Sequence, residues 1–219
     1  MKQLITIILI VQTILSFGQE NRARLYLKTG VALANFKQNN NGVKRGFVYG
    51  YNFGFGLDNK YKNDRKYTTT GELLFIQKGG YNMVVVPTYD QFGQFNGSGS
   101  ETFPIKLNYL SITSGIKFKI SNILYFSIAP RLDYLLSFKS KPYKYNDVRT
   151  KKDFQMFTGG LSYSIGILRF KKVRGLFFEL QGQNDFFKSG DKKLIGRFYN
   201  NYYGINIGFH IAGEKTKDD

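Results

Sequence analysis

The 219-residue chain contains no cysteine and only one histidine, His210. Without cysteine the chain can form neither disulfide bonds nor thiolate metal sites. A single histidine does not supply a transition-metal site, and no calcium-loop or phosphate-loop motif is present. The composition therefore predicts no cofactor and no metal. An exported chain of this kind needs another source of stability, which a closed sheet would provide.

Long apolar runs are missing beyond residue 18. The most apolar short runs, at 73–76 and 83–86, last four residues, whereas a membrane-spanning helix needs about 20. This excludes a helical membrane protein. With 42% hydrophobic and 17% aromatic residues, the chain is also too apolar to be disordered.

The first 18 residues have the order of a signal peptide. Lys2 precedes an apolar run at 4–15, and the small residues Ser16 and Gly18 follow it. No cysteine follows to carry a lipid. We therefore expect residues 1–18 to be a cleaved signal peptide and residues 19–219 to form the mature protein, as one domain.

Acidic residues are scarce, since 15 Asp and Glu face 32 Lys and Arg, for a formal net charge of +17. The basic residues form no stripe, and no nucleic-acid motif accompanies them, so nucleic acid is not expected as a partner. Scattered cationic loops would instead be attracted to lipid phosphates. The expected partners are outer-membrane lipids, including lipopolysaccharide phosphates. The loop cations are Lys141, Lys144, Arg149, Lys151, Lys152, Lys188, Lys192, Lys193 and Arg197.

Apolar residues alternate with small or polar residues through much of the sequence. This period of two is typical of β-strands. It is clearest at 46–58 and recurs at 24–34, 124–139 and 203–211. In 124–139 the alternation places Phe138 on the apolar face and Ser137 and Lys139 on the polar face. Weaker runs at 67–81, 105–120, 153–169 and 174–185 bring the number of predicted strands to eight.

The apolar face is expected to point outward. Eight strands enclose an interior that side chains only just fill, so a Phe or Tyr at every second position does not fit there. Lipid is the solvent that accepts such a surface. The predicted fold class of residues 19–219 is an all-β, eight-stranded antiparallel up-and-down transmembrane β-barrel, which forms one outer-membrane domain. A soluble ligand-carrying barrel, with the aromatic side chains inside, and a narrow outer-membrane channel are the alternatives.

Three segments are expected to be irregular. Pro130 cannot donate a ladder hydrogen bond and predicts a bulge. Residues 82–104 are predicted to continue the third strand as a hairpin above the membrane, with its tip within 92–99. The polar residues Asp58, Asn59, Asn63 and Asp64 are interpreted as a solvated turn, because the neighbouring Lys60, Lys62, Arg65 and Lys66 oppose a bound cation.

Three segments of the chain resemble the PorT-like outer-membrane β-barrel proteins. They are Glu72-Leu73-Leu74-Phe75-Ile76-Gln77-Lys78-Gly79-Gly80, Leu107-Asn108-Tyr109-Leu110-Ser111-Ile112, and Pro130 followed by Tyr134-Leu135-Leu136-Ser137. Thr113 stands where the family usually has a proline. The resemblance implies an outer-membrane barrel, in a family where some members assist protein secretion, and it supplies no catalytic residues.

The candidate functional residues fall into two groups. Charged side chains on the inward face are expected to form a polar network that plugs the lumen, because buried charges must be paired; these are Arg24, Lys28, Glu72, Lys117, Arg131, Asp133 and Glu179. The aromatic residues Tyr89, Phe92 and Phe95 are the candidate contacts for an envelope protein partner. His210, on the inward face of the last strand, has no triad partner, so no enzyme is expected.

Overall fold

The computed structural model describes residues 22–38, 46–60, 66–140, 154–168, 173, 175–187 and 198–212. They form a closed barrel of eight antiparallel strands in chain order, which confirms the predicted fold class. In these segments no helix is long and apolar enough to cross a membrane. The proposed signal peptide and the basic loop residues at 141–152 and 188–197 lie outside the described residues.

The strands are β1 (Arg22–Gln38), β2 (Val48–Lys60), β3 (Tyr67–Tyr89), β4 (Phe95–Lys119), β5 (Leu124–Ser140), β6 (Phe157–Ile167), β7 (Leu176–Asp185) and β8 (Phe198–Ala212). One end of the barrel is where β2, β4, β6 and β8 end and where β1, β3, β5 and β7 begin. We call this the short-loop end. The opposite end, where β1, β3, β5 and β7 end, is the long-loop end.

The strand registers fix the stagger of the barrel. Following paired residues from Arg22 through all eight strands returns to β1 at Ala32, ten residues further along. Strand number and stagger together set the tilt and the diameter of a barrel. Eight strands leave a lumen that side chains can fill completely.

The two faces of the wall differ as the alternation predicts. Outward residues such as Tyr49, Phe53 and Ile205 are 77%, 53% and 59% exposed, whereas the inward Asn52 and Asn206 between them are fully buried. Directly opposite residues share a face of the sheet, so the aromatic side chains stack across strands on the outside. The Phe53 and Phe75 rings, for example, lie 5.1 Å apart. The exterior is therefore mainly apolar.

The prediction of a bulge at Pro130 is wrong, because the bulge in β5 lies elsewhere. The β4–β5 register is the same on either side of Pro130, and only the pairing of Ser114 and Gly115 opposite it is missing. Proline has no N–H to donate to the ladder, which accounts for that gap. The strand itself continues without a shift.

The register shift lies six residues later. Asn108 of β4 faces Ser137, but its neighbour Tyr109 faces Leu135, so Leu136 is an extra residue. A bulge of this kind re-aims the side chains that follow it. Phe138 consequently faces the lumen while Ser137 and Lys139 face outward, opposite to the predicted facing.

The β3–β4 hairpin is longer and more regular than the sequence predicts. Its turn is confined to 90–94, so 96–99, expected at the tip, belong to β4. Within it, Gly97, Ser98 and Gly99 lie opposite Thr88, Pro87 and Val86 in the ladder. Tyr89 and Phe95 pair across the base of the turn with a one-residue register shift. The hairpin therefore extends beyond the last described β2–β3 pair, at Ile76, and the last β4–β5 pair, at Ile105.

Candidate functional site

The lumen holds three charged clusters stacked along the barrel axis, and the middle one is centred on Lys28 of β1. Its ammonium lies 2.5 Å from Glu72 Oε1 and 3.0 Å from Glu179 Oε1. Asn206 Nδ2 also donates to Glu179 at 3.2 Å. Because Lys28 and Glu179 are almost fully buried, each ion depends on these contacts to offset its desolvation.

At the short-loop end, Lys117 of β4 forms an ion pair and is surrounded by three aromatic rings. Its ammonium donates to both carboxylate oxygens of Asp58, at 2.7 and 2.8 Å. It also lies 4.9, 5.0 and 5.8 Å from the ring centroids of Tyr26, Tyr125 and Phe177. Asp58 is thus a buried strand residue, and its interpretation as part of a solvated turn is wrong.

Glycines make room for these three rings. Each ring lies across the ladder from a glycine: Tyr26 from Gly56, Tyr125 from Gly166, and Phe177 from Gly208. A Cβ atom added at Gly208 would lie 2.0 Å from the Phe177 ring, so any other residue would displace it. The lumen-facing glycines are therefore part of the aromatic enclosure around Lys117.

His210 borders the same enclosure. Its Nδ1 lies 3.1 Å from the carbonyl oxygen of Gly175 and its Nε2 lies 3.4 Å from Asp58 Oδ2. The ring also packs against Phe177 at 5.3 Å. These contacts tie His210 into the wall at the short-loop end.

Toward the long-loop end, two cations and two carboxylates form the third cluster. Lys78 Nζ lies 2.6 Å from Asp133 and 3.5 Å from Asp185. Arg131 donates through Nε to Asp133 at 2.9 Å and through Nη2 to Asp185. Asn200 Nδ2 adds a 3.0 Å hydrogen bond to Asp185. The two positive and two negative charges balance, as a buried cluster requires.

A group of buried apolar side chains packs beside this cluster in the long-loop half of the lumen. Its buried members are Phe36, Ile105, Leu107, Tyr109, Leu135 and Phe154, with Phe138 packed against them. The bulge at Leu136 is what turns Phe138 into this group. Apolar side chains therefore fill part of the lumen in its long-loop half.

Six of the seven predicted lumen residues lie in these three clusters. Arg24 is the exception: it is half-buried opposite Asp58, and within the described segments no ion pair joins it to a carboxylate. Lys78, Asp185 and Asp58 also belong to the network, although the sequence pattern did not predict them there. Asp185 ends a strand and could have been found as an inward position, whereas Lys78 lies among polar and glycine residues that mask the alternation.

The predicted partner-contact residues lie at the tip of the hairpin. Tyr89, Phe92 and Phe95 are 61%, 79% and 65% exposed. The Asp90 carboxylate accepts hydrogen bonds from the backbone N–H groups of Phe92 and Gln94, at 2.9 and 2.8 Å. Gly93 adopts a positive φ of 77°, which an L-residue rarely does. The turn is therefore internally braced, and it presents its aromatic side chains to the surroundings.

The arrangement can fill and stabilise a lumen, but it offers little for catalysis. Each buried charge is held by opposite charges rather than left exposed to a substrate. In the part of the chain that the structure describes, no group of three or more His, Asp or Glu side chains could hold a metal ion.

Comparison with known structures supports the description of the fold. No family model and no curated protein sequence matches the chain. The crystal structure of Neisserial surface protein A is similar over 85% of this chain and 97% of its own, with 8% identity and a TM-score of 0.50. The fold is that of an outer-membrane β-barrel.

Two further structures are similar at lower scores. Ail of Yersinia pestis, in complex with the heparin analogue sucrose octasulfate, has 12% identity and a TM-score of 0.40, covering 87% of this chain and 99% of its own. The outer membrane protein OprG from Pseudomonas aeruginosa has 13% identity and a TM-score of 0.40, covering 87% and 97%.

Proposed function

We propose that this chain is a non-enzymatic outer-membrane β-barrel protein of a Gram-negative cell envelope, with a structural or accessory role. Residues 1–18 direct its export and are removed before Gln19. One observation carries this proposal: the wall is apolar outside and its lumen is filled by charge-paired and apolar side chains. A water-facing protein rarely exposes so large an apolar surface, whereas a closed barrel leaves no unpaired strand edge in lipid.

The facing of the side chains disfavours both alternatives. A soluble ligand-carrying barrel needs an apolar interior cavity, but here the lumen holds Lys28, Lys78, Lys117 and Arg131 with their carboxylates. A channel needs a continuous polar path, and the apolar group around Phe36 and Leu107 fills part of the long-loop half of the lumen. The lumen therefore serves as a structural core.

The specific role we propose is that of a PorT-like accessory protein, in the family whose members include secretion factors. The resemblance at 72–80 and 107–112 supports it. These segments contribute Glu72, Lys78 and Leu107 to the lumen. The motif residues therefore also help to fill the interior of the barrel.

The braced hairpin tip is the proposed contact for an envelope protein partner. Tyr89, Phe92 and Phe95 offer large rigid apolar surfaces, the kind that dominate protein interfaces. The hairpin stands clear of the barrel wall, so a partner could reach it without disturbing the lumen.

Fractionation and affinity purification from the native cell test the proposal. The protein should be found in the outer-membrane fraction, and unboiled samples should migrate faster on a gel than boiled ones because the closed barrel resists detergent. Recovery in the soluble fraction with no heat-dependent shift would refute the membrane assignment.

The hairpin is tested with matched variants. Replacing Tyr89, Phe92 and Phe95 together by serine should leave the gel shift intact and remove a partner that copurifies with the native protein. Replacing the neighbouring exposed Gln91 and Gln94 by serine is the control and should retain it. Retention of every partner by the triple variant would show that the tip is not the contact.

A further inference from the structure

Two lysines lie directly opposite each other on the outward face near the long-loop end. Lys106 of β4 pairs with Lys139 of β5, and their lumen-facing neighbours are Leu107 and Phe138. Residues opposite each other in an antiparallel ladder have Cβ atoms about 5 Å apart. Both ammonium groups can therefore reach one point above the wall.

This pair differs from the lysines of the lumen. Lys28, Lys78 and Lys117 each contact a carboxylate, whereas within the described segments neither Lys106 nor Lys139 forms an ion pair. Like charges directly opposite are destabilising. An anion bound between them would remove that repulsion.

A row of polar side chains lies immediately beside the pair, one position further from the long-loop end. Gln77 Nε2 donates to Asn108 Oδ1 at 2.9 Å, and Asn108 Nδ2 donates to Ser137 Oγ at 2.9 Å. All three point outward, since they alternate with inward residues such as Ile76 and Tyr109. The Ser137 hydroxyl is exposed and has its own proton to donate.

The bulge at Leu136 creates this arrangement. In an unshifted register Phe138 would lie opposite Lys106, facing outward, and Lys139 would face the lumen. The extra residue instead turns Ser137 and Lys139 outward together. Bulges are often found where a side chain is re-aimed for function.

We infer that Lys106, Lys139 and Ser137 form a binding site for the phosphate group of a membrane lipid. The inference rests on the proposed function, which places these three residues on the lipid-facing wall of the barrel, near its long-loop end. Phosphate oxygens accept strong hydrogen bonds from ammonium and hydroxyl groups. The apolar surface next to the site would contact the acyl chains of the same lipid.

The test measures lipid retained by the purified full chain in vesicles of phosphatidylcholine that contain a small fraction of lipid A. The K106Q/K139Q double variant is compared with K119Q, which removes an exposed lysine at the other end of β4. Each lysine near an anionic surface contributes a factor of about five in affinity. The double variant should therefore bind the lipid about 25-fold more weakly and retain correspondingly less of it, and K119Q should match the wild type.

Two further measurements identify the ligand. Dephosphorylated lipid A should be retained poorly by the wild type, and inorganic phosphate at millimolar concentration should not displace the phosphorylated lipid. Equal retention by K106Q/K139Q, equal retention of the dephosphorylated lipid, or displacement by inorganic phosphate would each overturn the assignment. The heat-dependent gel shift of every variant reports folding separately. A wild-type protein that fails to insert into vesicles would refute the membrane proposal itself, whereas an inserted protein with unchanged lipid retention refutes only the site.

Discussion

The Lys117 ammonium lies 2.7 Å from the Asp58 carboxylate, inside an enclosure of three aromatic rings at the short-loop end of the lumen. The two residues belong to strands that are not neighbours in the barrel, β4 and β2. Their contact therefore passes over the inner face of β3 and ties together two strands that share no backbone hydrogen bonds. Removing one partner leaves the other as an uncompensated buried charge.

The first prediction concerns this ion pair. Lys117→Met, which keeps the length of the side chain, should lower the free energy of unfolding by about 3 to 5 kcal/mol, because Asp58 loses its counter-ion. Denaturant unfolding of the protein in lipid vesicles measures it. Adding Asp58→Asn should restore part of the loss, and Lys119→Met, at an exposed site on the same strand, should have little effect. A Lys117→Met protein as stable as the wild type would show that the pair does not stabilise the barrel.

The second prediction concerns the glycines beneath the aromatic rings. Gly208→Ala should destabilise the barrel by roughly 1 to 3 kcal/mol, because the new Cβ would overlap the Phe177 ring and force it to move. Gly71→Ala is the matched control, since a Cβ there meets only the Thr113 carbonyl oxygen at 3.8 Å. The same unfolding measurement compares them. Equal effects of the two substitutions would mean that the ring has room to move without cost.

The sequence was sufficient for the architecture because an antiparallel wall between two different environments imposes a strict period of two. Residues such as Phe53 and Asn52 reveal their faces from local order alone. The facing of Lys139 could not be found in this way. It depends on the shift between Asn108 and Tyr109 on the neighbouring strand, and nothing in the local sequence of β5 specifies that shift.

In the lumen clusters, too, local sequence order predicts which side chains face inward but not which of them meet. Lys28 and Glu179 were predictable as inward charges, since each alternates with apolar neighbours. Their specific pairing required the register of all the strands between them. Lys78 was missed because both faces of β3 become polar or glycine-rich at this point, so the period is lost. Pairing between distant strands, rather than local propensity, determines which charges meet.

The third prediction is that the wild-type barrel forms no stable, porin-sized pore. The Arg131 and Glu179 clusters occupy the lumen, and the apolar group fills part of its long-loop half. Recording from planar bilayers should therefore show no reproducible large conductance steps. Arg131→Ala and Glu179→Ala each free space and break a cluster, so small steps confined to these variants would support the plug. Regular large steps from the wild type would contradict it.

The fourth prediction uses the absence of cysteine, which allows a single thiol to be placed at will. Phe53→Cys, Asn52→Cys and Phe92→Cys put a thiol on the outer wall, in the lumen and at the hairpin tip. A thiol-reactive reagent applied to the folded protein should label the Phe92 position readily. It should fail at the Asn52 position, which is fully buried. Ready labelling of the lumen position would indicate that the lumen is open.

The account depends most on the outer wall facing lipid, and depth-dependent quenching at position 53 measures this directly. A fluorophore on Phe53→Cys in vesicles should be quenched by lipids that carry a quencher on the acyl chain and protected from aqueous iodide. A fluorophore on Phe92→Cys should show the reverse. Quenching of the position 53 probe by iodide, with no effect of the acyl-chain quencher, would contradict the assignment of this chain as a membrane barrel.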